Sequence, residues 1–176
     1  MLLNPRHLVL AGVLFIHITM PISANQTPCQ LDENYQAFDF WLGHWQVADA
    51  QGVVQGTNQI TKSEDGCLIH EHWTSAQGNK GYSLNYYNPI TRLWAQRWVS
   101  AGSVIEYTGT SKQPGMMTLQ GTIYYQKNNL SAAFKGTWTL LEDGRVRQLF
   151  QQYDKKTKQW NVRFEGFYSK QQESKE

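Results

Sequence analysis

From His44 onward the chain alternates apolar and polar positions with a period of two, and roughly every 12 residues a cluster of turn residues interrupts the alternation. Trp45 and Val47 oppose His44 and Gln46, and nine further segments follow: 54–63, 67–75, 80–87, 93–100, 104–110, 117–125, 130–141, 145–153 and 160–169. Between them lie punctuating runs such as Glu64-Asp65-Gly66, Gln77-Gly78-Asn79, Asn88-Pro89 and Glu142-Asp143-Gly144. Only the stretch before His44 has a different period. There Tyr35, Phe38 and Trp41/Leu42 form one apolar stripe, which predicts a short helix over 33–42, capped by Asp32 and stopped by Gly43.

Connections this short force neighbouring strands to run antiparallel, and a meander of this length avoids bare edges by closing on itself. The predicted fold is therefore all-β, a closed antiparallel up-and-down barrel of about ten strands with the short helix over one end. One internal echo stands out, Tyr87-Asn88-x-x-Thr91-x-x-Trp94 against Tyr153-Asp154-x-x-Thr157-x-x-Trp160. Nothing around the two copies aligns, so they read as one hairpin turn used twice, with an Asn or Asp bonding its own backbone.

Composition narrows the setting. Arg6 and His7 precede an apolar run from Leu8 to Met20, followed by Pro21 to Asn25, the pattern of a secretory signal peptide cleaved after Ala24. Its 13 residues are short of the roughly 20 that span a bilayer. The expectation is an exported protein, periplasmic or extracellular and not membrane-spanning, with residues 25–176 as one barrel domain and 170–176 as a flexible tail. Without the signal the chain carries 15 Lys and Arg against 14 Asp and Glu, a balance that argues against nucleic acid as a partner. Two cysteines, Cys29 and Cys67, are expected to pair in an oxidising compartment and tie the N-terminal arm to the third strand.

A wider set of residues carries a resemblance. Phe38-Asp39-Phe40-Trp41-Leu42-Gly43-x-Trp45, Gly66-Cys67 with Glu71-x-Trp73, Gly81-x-Ser83-Leu84-Asn85-Tyr86-Tyr87, Trp94-x-Gln96-x-Trp98-Val99 and Gly144-Arg145-Val146-Arg147-Gln148 together resemble a family of secreted bacterial proteins with a calycin/lipocalin-like barrel and no assigned activity. The resemblance implies Phe38, Trp41, Gly43 and Trp45 as its structural signature. It also implies an arginine from a late strand stacked over Trp45, for which Arg147 and Arg163 are the candidates. The chain departs from the pattern at His44 and Ser100, where that family carries acids.

The candidate chemistry is a lining. If the motif residues share one face, Glu71, Trp73, Ser83, Asn85, Tyr87, Trp94, Gln96 and Trp98 make an aromatic wall with a few hydrogen-bonding groups, the usual composition of a small-molecule pocket. Arg147 and Gln148 point to opposite faces, and Arg147 is the expected counter-charge to Glu71 or to an anionic ligand. The ligand-binding set is thus Glu71, Trp73, Ser83, Asn85, Tyr87, Gln96, Trp98 and Arg147, and the expected partner is a small apolar or amphipathic molecule. No cofactor and no metal site are expected, since His70-x-His72 offers two ligands without a third. The alternatives are a haem carrier using one inward histidine, an enzyme using Glu71 as acid or base, and an interaction module with a filled core.

Overall fold

In the computed structural model, which describes residues 26–171, ten antiparallel strands close into a barrel. They are β1 (Gly43–Ala48), β2 (Val54–Ser63), β3 (Leu68–Ser75), β4 (Lys80–Asn88), β5 (Leu93–Ser100), β6 (Ser103–Gln113), β7 (Met116–Tyr125), β8 (Leu130–Leu140), β9 (Val146–Asp154) and β10 (Gln159–Lys170). Each strand pairs with its neighbour in sequence, and β1 with β10 completes the circle through Trp45–Lys170 to Ala48–Phe167. The expected signal peptide lies outside the described residues. So does most of the expected tail, but Lys170 belongs to β10. Among the described residues no helix is long and apolar enough to cross a membrane.

The N-terminal segment corrects the single helix expected over 33–42. It is a four-residue α-helix, α1 (Pro28–Leu31), followed by two 3₁₀ turns, Glu33–Gln36 and Asp39–Trp41. Asp32 is the cap, its carboxylate accepting from the Asn34 amide at 2.9 Å. The stripe itself explains the difference: Tyr35, Phe38 and Trp41 are spaced by three, the period of a 3₁₀ turn, so they align without an α-helix. All three are buried and plug one end of the barrel. Phe38 stacks on Trp41 at 4.9 Å and meets Trp94 and Trp138 edge-on, while the Trp45 indole donates to the Trp41 carbonyl.

Three ties, one covalent and two polar, hold the plug. The Cys29–Cys67 disulfide closes with a Cα–Cα distance of 5.0 Å, just ahead of β3. Lys62 Nζ donates to both Asp39 oxygens, at 2.7 and 2.8 Å, and to the Tyr35 carbonyl. The Trp94 indole donates to the Asn34 carbonyl at 3.1 Å.

The repeated turn is present in both copies. Asn88 Oδ1 accepts from the amides of Ile90 and Thr91, Asp154 Oδ1 from those of Lys156 and Thr157, and Arg92 and Lys158 both take positive φ. Tyr87 pairs with Trp94 and Tyr153 with Trp160 across their strands. The first pair faces the interior; the second lies on the outer wall, where Lys135 sits over Trp160.

Candidate functional site

With one end plugged, the interior below the plug is crossed by a polar layer and then opens toward the far end. Alternation places Glu71 on β3, Ser83 and Asn85 on β4, and Gln96 on β5 at facing registers: Glu71 lies opposite Ser83, and Asn85 opposite Gln96. All four are buried, joined by Asn58 of β2 and Gln148 of β9. Buried polar groups require partners, and here they supply one another.

The hydrogen bonds run in one direction. Tyr107 donates to the Gln96 carbonyl, Gln96 to the Asn85 carbonyl, Asn85 to Ser83 Oγ at 2.9 Å, and Ser83 to Glu71 Oε2 at 2.6 Å. From the other side Asn58 Nδ2 donates to Glu71 Oε1 at 2.7 Å and to Tyr168 Oη at 3.3 Å, while Tyr168 donates to Gln148 Oε1 at 2.7 Å. Asn58 Oδ1 is buried and has no donor.

Burial pushes the Glu71 carboxyl up from 4.5 to about 7, against the Ser83 and Asn58 hydrogen bonds, which favour its ionised form. The same burial, with the Glu71 charge nearby, raises the hydroxyls of Tyr107 and Tyr168 well above the usual tyrosine range. Glu71 is therefore the one group of this layer that changes charge near neutrality.

On the side of the polar layer away from the plug is a cavity of about 200 Å³ lined by Glu71, Trp73, Trp98, Gln148, Phe150, Phe164 and Tyr168. Its floor is buried, whereas Trp73, Trp98, Phe150 and Phe164 are half-buried and form the rim. Two glycines leave room for rim rings. A Cβ at Gly81 would collide with the indole of Trp98, and one at Gly56 would meet Trp73.

The expected lining is thus brought together in part. Glu71, Trp73 and Trp98 line the cavity; Ser83, Asn85 and Gln96 form the hydrogen-bonded layer beside it; Tyr87 packs near the plug, edge-on to Tyr35. Arg147 is a correction. It points outward and pairs with Glu165 at 2.6 Å, so Gln148 is the member of that dipeptide that faces inward, and Glu71 has no arginine beside it. The cation over Trp45 is Lys170, 5.5 Å from the ring centroid, in place of Arg147 or Arg163.

Asn58, Tyr107, Gln148, Phe150, Phe164 and Tyr168 complete the site beyond the residues expected. The three described histidines are on the outer wall, His70 between Ser63 and the Tyr82 hydroxyl and His72 edge-on to Tyr82. Among the described residues no three His, Cys, Asp or Glu side chains are grouped to hold a metal. Neither a scan against protein-family models nor a search of curated proteins finds a match to this chain.

Proposed function

We propose that the protein is an exported small-molecule-binding barrel of calycin/lipocalin type, holding an apolar or amphipathic ligand in the half of its interior that the plug leaves open. The observation that carries this reading is the combination of an aromatic rim with a buried polar floor around one cavity. An apolar body gains by leaving water between Trp73, Trp98, Phe150 and Phe164, and the floor selects its polar end. The volume suits a compact ligand, since a cavity of about 150 Å³ admits a benzene ring. The disulfide supports export, because such a bond persists in an oxidising compartment.

A library of apolar and amphipathic compounds tests the reading by thermal shift, with native mass spectrometry of protein purified from its own host alongside. A ligand that prefers the folded state raises the melting temperature by mass action. No shift across the library and no co-purified molecule would remove the proposal. The near-neutral Glu71 carboxyl favours a second reading, an enzyme using it as general acid or base. That reading requires turnover of a bound ligand that Glu71→Gln abolishes.

A further inference from the structure

We propose that the cavity selects a small organic cation, a primary ammonium on a single-ring or short alkyl body, with its charge against Glu71 and its body between the rim aromatics. This rests on the small-molecule-binding reading and narrows it to a ligand class. The cavity lining contains one carboxyl and no basic side chain. The outward turn of Arg147 to Glu165 leaves the Glu71 charge without a counter-ion inside the barrel.

Glu71 also has accepting capacity to spare. A carboxylate can accept roughly four hydrogen bonds, and Glu71 receives one on each oxygen, from Asn58 and Ser83. Asn58, which donates to Glu71 but is not part of the cavity lining, leaves its Oδ1 as a buried acceptor with no donor. An ammonium brings three donors and no acceptor. Trp73, Trp98, Phe150 and Phe164 line the same cavity, and a desolvated cation is attracted to aromatic faces. An anionic ligand meets the reverse: a buried acid and no cation.

Binding and ionisation of Glu71 are then linked. The titratable groups facing Glu71 from the neighbouring strands are Tyr107 on β6 and Tyr168 on β10, both held neutral through this range; Asn58 and Ser83 carry no charge. Below about pH 7 a bound ammonium must displace the Glu71 proton, so its affinity falls roughly tenfold per pH unit there and levels off above.

Calorimetry with benzylamine, benzyl alcohol and benzoate on the intact protein tests this. At about pH 8 benzylamine is expected to bind roughly tenfold or more tighter than benzyl alcohol, with benzoate weakest. At about pH 6.5 benzylamine binding to the wild type should release a proton, read from the heat in two buffers of different ionisation enthalpy. Glu71→Gln should lose both the preference for the amine over the alcohol and its pH dependence. The proton-release measurement needs no variant, so the test stands even if Glu71→Gln does not fold. Equal or tighter binding of the alcohol or benzoate, an amine preference that survives Glu71→Gln, or amine binding without proton release would each overturn the cation assignment while leaving a binding barrel. Failure of all three probes, together with a silent library screen, would overturn the binding reading itself.

Discussion

The Ser83 hydroxyl donates to Glu71 Oε2 at 2.6 Å, and it is the last link of a one-way series of donors that begins at Tyr107. Every bond in that series is oriented to stabilise negative charge on Glu71, while burial opposes it more strongly. Removing the final donor by Ser83→Ala is expected to move the Glu71 carboxyl further up, by about one pH unit, the scale of a hydrogen bond to a charged group. Carbon-detected NMR of the Glu71 carboxyl through the titration measures it. An unchanged midpoint would mean that the bond does not bias the charge.

The raised carboxyl also sets how stability varies with pH. Between 4.5 and about 7 the native state holds a proton on Glu71 that the unfolded chain has already released, so stability falls as pH rises through that window. The full difference is on the order of 3 kcal/mol and is complete above about pH 8. Urea unfolding across the window should show this decline in wild type and not in Glu71→Gln. A wild-type profile that rises between pH 5 and 8 would contradict it.

The strands that contribute to the site were legible where one face differs clearly from the other. In Leu93–Ser100 the face Trp94, Gln96, Trp98 alternates with Ala95, Arg97, Val99, and the structure keeps both the bounds and the phase. β9 offers no such contrast. Val146, Gln148, Phe150 and Arg147, Leu149, Gln151 each mix apolar and polar residues, so neither phase of Arg147 and Gln148 is favoured by pattern alone. β10 hides its site residue differently. A bulge between Val162 and Phe164 shifts the register by one, so Trp160 faces outward and Phe164 inward although both occupy even positions. Strict alternation has no means of showing that shift. The plug was visible as an apolar stripe, but its 3₁₀ geometry follows from a spacing of three that an α-helical reading absorbs equally well.

The disulfide closes a loop with a sequence separation of 38, for which the chain-entropy estimate is about 4 kcal/mol, an upper figure because native strain subtracts from it. The Lys62–Asp39 ion pair and the Trp94–Asn34 bond hold the same segment independently. Cys29→Ser with Cys67→Ser is therefore expected to lower stability by up to about that amount and to leave the barrel and its plug assembled. Denaturant midpoints give the loss, and near-ultraviolet circular dichroism reads the Phe38, Trp41, Trp94 and Trp138 cluster. Loss of the aromatic signal in native buffer would show that the disulfide, and not the polar ties, seats the plug.

Gly81 and Trp98 supply a test of the cavity that leaves Glu71 untouched. Gly81 faces the interior on β4, and the Trp98 indole from β5 lies where its Cβ would be. Gly81→Ala forces that ring to move. The space nearest to it is the cavity that Trp98 lines, so the methyl is expected to drive the indole into the lumen and close the site. Overpacking of this kind costs about 1–3 kcal/mol, and benzyl alcohol affinity should fall at least roughly tenfold. Trp98→Ala separates the collision from any intrinsic effect of alanine at position 81: in that background the same substitution should cost little, giving a coupling energy close to the whole loss in a double-mutant cycle. Urea unfolding of the four proteins measures the coupling, and calorimetry measures the affinity. Additive losses would show that Trp98 does not depend on the bare backbone beneath it.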